Sequence, residues 1–214
     1  MLSNTKYYIF YTIIFVVFAV VISYTNSRLD VAIYINSQNS VFFDYFFKYS
    51  TYLGHGLIIG VLALYLIFTN KKYFYITVFS SLLTTLIVRF LKIYVNAPRP
   101  ISYFKSVCPT DYDFHFVEGV KIASQHSFPS GHTATAFLFF FLLSFFYAQK
   151  RYFLQFVFFF LALIVAYSRL YLFQHFFLDV AVGALIGVIS AIISVFFVSK
   201  ILKNIKENGF IKIH

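Results

Sequence analysis

Long apolar runs broken by short polar punctuation dominate the chain. Six stretches approach the length of a membrane-crossing helix: Tyr7–Tyr24, Leu53–Phe68, Tyr73–Tyr94, Ser130–Ala148, Tyr152–Tyr167 and Leu178–Ser199. Crossing a bilayer takes about 20 mostly apolar residues. The second and fifth runs are short at their apolar cores and extend into uncharged flanks. The third is interrupted near its end by Arg89 and Lys92, and Arg89 reads as a side chain that snorkels to the headgroups. The first run has no small-x-small cleavage site behind it, so it reads as a retained span. Residues 39–53, NSVFFDYFFKYSTYL, set aromatic clusters against Asp44 and Lys48, the pattern of an amphipathic helix lying on the membrane surface. Residues 95–129 carry Pro98, Pro100, Pro109, Gly119 and Pro129 and read as a long loop enclosing at most a short element. The pattern predicts an all-α, polytopic membrane protein with six transmembrane helices and a single membrane-embedded domain over residues 1–214.

Composition makes the membrane class nearly obligatory. The chain is 61% hydrophobic and 11% charged, with a mean hydropathy of +0.82, whereas soluble domains carry about 25% charged residues. The 32 Phe and 18 Tyr suit a lipid-facing surface with interfacial belts. A net charge of +10 suggests nucleic acid at first, but its distribution argues otherwise. With six spans, the basic turns Asn70-Lys71-Lys72 and Gln149-Lys150-Arg151 share one side with Lys6 and the tail lysines Lys200, Lys203, Lys206 and Lys212. The positive-inside rule makes that side cytoplasmic, with both termini there. Most acids fall on the other side. The basic excess therefore serves orientation, and no nucleic-acid partner is expected. Cys108, the lone cysteine, reads as a free, inert thiol.

Three polar clusters fall at the outer ends of the predicted spans. The first is KIYVNAPRP, Lys92 to Pro100. Pro98 and Pro100 stop the helix near Asn96, and Arg99 returns on a stiff turn. The second is SFPSGHTATAF, Ser127 to Phe137, where Ser130 suits an N-cap and Gly131 and His132 open a helix whose N-terminus is fitted to an anion. The third is AYSRLYLFQHFFLDVAVG, residues 166–183, with Arg169 and the i, i+4 pair His175 and Asp179. On a helix that pair shares a face. A carboxylate on one ring nitrogen fixes the tautomer and leaves the other nitrogen free as base or nucleophile. Three cations, two histidines, one aspartate and a helix N-terminus can thus converge on one side. Ionisable groups at membrane depth are functional hypotheses by default, and Arg and Lys suit phosphate oxygens. No Cys/His/carboxylate set has structural-zinc spacing, so neither metal nor cofactor is called for.

Lys92-x6-Arg99-Pro100, Pro129-Ser130-Gly131-His132 and Ser168-Arg169-x5-His175-x3-Asp179 together resemble the three-part signature of the type 2 phosphatidic acid phosphatase superfamily. That family includes membrane lipid phosphatases and shares its site with vanadium haloperoxidases and bacterial acid phosphatases. The resemblance implies metal-independent hydrolysis of a phosphomonoester or pyrophosphate through a phosphohistidine. By carry-over, His175 is the nucleophile, Asp179 orients it, and His132 serves as acid and then base. Lys92, Arg99, Arg169, Ser130 and Gly131 cradle the phosphate. The implied substrate is a lipid phosphate of phosphatidylglycerol phosphate, phosphatidic acid, undecaprenyl pyrophosphate or lipid A type. The implied location is a bacterial inner membrane with the site on the extracytoplasmic side, and no obligate protein partner is inferred. A vanadate-dependent peroxidase would use the same constellation, but six spans in a short chain speak against it. A lipid-phosphate binder or transporter would place charges deep in mid-span, and spans four to six lack them. His55, His115, Glu118, Lys121 and His126 read as solvated loop polarity near the headgroup pocket.

Overall fold

Side-chain caps set the helix starts. Ser27, Ser40, Asn70 and Ser130 each accept a hydrogen bond from the backbone N–H three residues on, at 3.0, 3.2, 3.0 and 3.4 Å. Each satisfies a donor that a helix cannot pair internally. In this computed structural model, residues 2–107 and 112–207 are described. Cys108, Lys212 and the side chain of Lys206 lie outside that description. The elements are α1 (Lys6–Thr25), α2 (Arg28–Ser37), α3 (Val41–Ser50), a 3-10 turn (Thr51–Gly54), α4 (Gly56–Thr69), α5 (Lys71–Val95), α6 (Pro100–Val107), α7 (Gly131–Tyr147), α8 (Tyr152–Tyr171) and α9 (Phe177–Glu207). Among the described residues there is no strand.

Each of the six apolar runs is a helix, although not all reach full length. Lys6–Thr25, Lys71–Ser106, Tyr152–Tyr171 and Phe177–Ile205 are long and apolar enough to cross a bilayer. Val41–Gly54 with Gly56–Thr69, bent by 48°, makes a fifth if the pair is one span. The second run begins at Gly56 rather than Leu53, because the His55 ring accepts from Leu57 N at 3.3 Å and restarts the helix there. Helix α5 stops at Val95 with Asn96 in the left-handed region, as the two prolines behind it require. Among the described residues of the 95–129 stretch there is one short helix, α6.

Helix α9 packs against α7, α5 and α1. Its contact with α7 is made by backbone. A Cβ on Gly183 would stand 2.6 Å from the Ser130 carbonyl oxygen, and one on Gly187 would collide with the Ala134 carbonyl. Four residues apart, the two glycines let α9 approach α7 closely, the way apolar helices associate where lipid gives no hydrophobic drive. This approach brings the start of α9 to the start of α7. Gly187→Leu is expected to lower the unfolding temperature in detergent by about 10 °C through overpacking. Gly60→Ala, where nothing lies within 4 Å, is the control and should cost nothing.

At the far end, buried Gln155 donates to Asn4 O at 2.6 Å and to Ala148 O at 3.1 Å. Tyr8 donates to Phe137 O at 3.1 Å, and Tyr73 stacks on Phe146 at 4.1 Å. The chain start and the turns after α4 and α7 thus gather at one end, with Lys6, Lys71, Lys72, Lys150 and Arg151.

The amphipathic segment is α3, and its charged residues are half-buried and bonded to other parts of the chain. Asp44 accepts from Tyr171 Oη at 2.5 Å and pairs with His115 Nε2 at 2.8 Å, while Lys48 donates to Glu118 O at 2.7 Å. One helical turn apart, Asp44 and Lys48 fasten the long loop to the bundle.

Candidate active site

The long loop returns to α5 through two backbone hydrogen bonds, Arg99 N to Ser124 O and Ser127 N to Ala97 O, both at 2.9 Å. They hold Arg99 against the strand-like approach to α7. Its Nε donates to Gln125 O at 3.0 Å and its terminal nitrogen to Gln174 Oε1 at 2.6 Å. Lys92, in the last turn of α5, donates to His126 O at 2.5 Å. His126 sits at φ 58 and returns a ring hydrogen bond to Lys92 O at 3.0 Å. The first cluster is thereby bound to the second along its length.

Arg169 closes α8 and is 7% exposed. One terminal nitrogen donates to Thr51 Oγ1 at 2.7 Å, and its Nε is buried without a partner. A buried guanidinium donor left unpaired is costly, and an anionic oxygen would remove that cost. The chain then turns through Phe173 at φ 59, so that Gln174 N and His175 N both donate to Arg169 O, at 3.0 and 3.2 Å.

His175 lies in this turn and Asp179 in the first turn of α9, and both are buried. Asp179 Oδ2 accepts from Ser127 Oγ at 2.5 Å, from Phe176 N at 3.0 Å and from His175 Nδ1 at 3.4 Å. A carboxylate accepts only, so the His175 proton is assigned to Nδ1 and the lone pair to Nε2. Burial pulls the His175 ring down to about 4, against the opposing pull of Asp179, and Arg99 and Arg169 push it further down. The imidazole is neutral at pH 7. The Asp179 carbonyl also accepts from Ser130 N at 3.0 Å, which docks α9 onto the cap of α7.

His132 is the second residue of α7, its ring 6.1 Å from that of His55. It lies within electrostatic range of Arg169, His175 and Arg99, as Lys92 does of Arg99, Asp179 and Arg169. Gly131 has only Val88 near its missing Cβ, at 3.7 Å. The N–H groups of Gly131 and His132 are in the first turn, where a helix offers no acceptor. All eight residues expected from sequence therefore gather at one end of the bundle.

Three partners were not foreseen: Ser127 on Asp179, Gln174 on Arg99 and Thr51 on Arg169. Ser127 opens the second cluster and Gln174 adjoins His175, so position alone could have flagged both. Nothing local marks Thr51. Of the loop residues, His115 belongs to the Asp44 fastening, and Glu118 and Lys121 lend carbonyls to Lys48 and to Gln174 Nε2. His126 and His55 stand beside the cluster. Among the described residues, no group of three or more His, Cys, Asp and Glu could hold a metal.

A family model described as the PAP2 superfamily matches residues 72–203. Among solved structures, Aquifex aeolicus LpxE is similar at a TM-score of 0.65 and 31% identity, over 81% of this chain and 97% of that one. The first transmembrane PAP2 type phosphatidylglycerolphosphate phosphatase from Bacillus subtilis is similar at a TM-score of 0.50 and 21% identity, over 96% and 98%. The latter likeness is one of fold. A sequence comparison with curated proteins finds no match.

Proposed function

The chain belongs to the PAP2 superfamily, and from that premise we propose that it is an integral-membrane lipid phosphatase acting through a phosphohistidine. The observation that carries the reading is the Asp179 carboxylate, which joins Ser127 of the second cluster to His175 of the third. His175 Nε2 attacks phosphorus as the bond from phosphorus to the leaving oxygen breaks, and His132 gives that oxygen its proton. Water then yields a proton to His132 and attacks the phosphohistidine, the P–N bond breaks, and phosphate leaves. Lys92, Arg99 and Arg169, with Ser130 and the Gly131 N–H, stabilise charge on the phosphoryl oxygens. The reaction proposed needs no metal.

We read six crossings. At 1.5 Å per residue, α4 and α7 span about 21 and 26 Å against a core of about 30 Å. The 3-10 turn extends α4 at the site end, and the Phe128–Ser130 approach extends α7. The basic turns at the far end support cytoplasmic termini and an extracytoplasmic site in a bacterial inner membrane. The substrate is one of the phosphatidylglycerol phosphate, phosphatidic acid, undecaprenyl pyrophosphate or lipid A types, isoprenoid and glycerophospholipid headgroups ahead of lipid A.

Purified protein given a panel of these lipids with EDTA present is expected to release phosphate from at least one. Release from none would sink the reading, and activity lost to EDTA and restored by metal would overturn the metal-free route.

The neutral state of His175 is separately testable. A free histidine titrates near 6.5, whereas His175 holds at about 4. Between those values the unfolded chain binds the extra proton, so stability falls as pH drops through that window. Nitrogen NMR of ring-labelled protein should show His175 as the neutral Nδ1–H tautomer at pH 5.5. A protonated ring at that pH contradicts the assignment.

A further inference from the structure

Arg28 belongs to none of the three clusters, yet it stands next to them. It opens α2 just after the break at Asn26 and Ser27, and it is exposed. Its guanidinium lies over the rings of Phe176 and Tyr103, at 4.9 and 5.0 Å from their centroids. Among the described residues, no carboxylate pairs with it. Aromatic faces hold such a group in place while leaving its edge donors for a third, anionic partner.

Arg28 also lines a cavity of about 160 Å³ whose wall includes His175. Six residues of that cavity, Ile22, Asn26, Val31, Ile35, Leu170 and Phe177, also line a larger groove of about 1040 Å³ on the flank of the bundle between α1, α2, α3 and α8. The groove reaches the upper end of ligand-site volumes, about 300–1,000 Å³. Its walls are apolar along α1 and α8, with Phe18 and Leu163 among them. Asn26, in the break before α2, and Asp30 and Tyr34 on α2 give it a polar end next to Arg28. An occupant must therefore be a long apolar body with a polar head at one end, and the head must lie beside the Arg28 cation in a cavity that His175 helps to wall.

We propose that this passage is the substrate seat: the hydrocarbon chain of a lipid phosphate lies in the α1–α8 groove, and its head enters the small cavity past Arg28, which contacts the anion. The proposal rests on the phosphatase reading for its chemistry. Nothing in the groove suits a water-soluble phosphate, because the apolar walls would be left without a partner.

The test is photolabelling of the full-length protein in lipid nanodiscs, with His175→Gln used to stop turnover. The probe is a 1,2-diacylglycerol 3-phosphate with a diazirine at one chain end, and the comparison probe is the same diacylglycerol without phosphate. The phosphate probe is expected to label Phe18 or Leu163 on the groove wall. Arg28→Ala should cut that labelling about tenfold, and Arg28→Lys should restore part of it. Equal labelling by both probes, labelling unaffected by Arg28→Ala, or labels confined to other helices would each overturn the seat. The two readings fail separately. Retained phosphate-dependent labelling with no phosphate release overturns the phosphatase, whereas release with phosphate-independent labelling overturns the seat alone. In the otherwise wild-type enzyme, Arg28→Ala should raise KM for a long-chain lipid more than it lowers kcat.

Discussion

Replacing His175 with glutamine is expected to lower turnover by about 10⁴-fold or more, the scale seen when a covalent nucleophile is removed. Glutamine keeps the length of the side chain and offers Asp179 an N–H, so the turn between α8 and α9 should survive. What it lacks is a basic lone pair aimed at phosphorus. Lys92, Arg99 and Arg169 stay in place, so affinity for the lipid phosphate should change little. The partner experiment is His132→Gln. Without the residue that activates water, a phosphoenzyme formed from a substrate with a good leaving group should accumulate. Acid-sensitive, alkali-stable radiolabel on the protein from ³²P-lipid would report it, and the label should be absent from the His175→Gln variant. Turnover surviving in that variant refutes the nucleophile assignment.

Much of this arrangement was legible because it is local. Apolar runs mark helices, prolines after Asn96 end one, and Ser130 starts another. The i, i+4 spacing of His175 and Asp179 pointed to their contact, although His175 precedes α9 and reaches Asp179 from the turn rather than from the same helix face. Placement of basic turns put all three clusters at one end without any knowledge of packing. The remainder depends on contacts between distant segments. Asp44 and Lys48 look like the wet face of a surface helix, and only the loop carrying His115 and Glu118 shows that they are fasteners. Thr51 meets Arg169 across 118 residues of sequence, and no periodicity records that. Helix α2 went unread because its mixed sequence RLDVAIYINS carries no strong apolar period. The start of α4 was misplaced by a histidine serving as N-cap, a role that Ser, Thr, Asp and Asn usually fill.

Asp179→Asn should cost about 10³–10⁴-fold in kcat, with KM nearly unchanged. The carboxylate oxygen gathers three donors, from Ser127, Phe176 and His175. If the asparagine oxygen replaces it, the contacts persist but the negative charge is gone. That charge is needed when His175 bonds to phosphorus, because the ring then becomes cationic inside a buried site already holding Arg99 and Arg169. If the asparagine NH₂ points there instead, Nδ1 must accept, the ring proton moves to Nε2, and the lone pair that attacks is lost. Either way the loss falls on the chemical step. Ser127→Ala separates charge from orientation, since it removes one neutral donor and leaves the carboxylate ionised. It should cost about tenfold. Single-turnover rates for the two variants are the measurement. An Asp179→Asn enzyme within tenfold of the parent would mean that Asp179 merely caps α9 through Phe176 N, and that His175 keeps its tautomer without help. The buried position of the ring argues against that outcome: it is 4% exposed and flanked by two guanidinium groups, and among the described residues Asp179 is the one carboxylate paired with it.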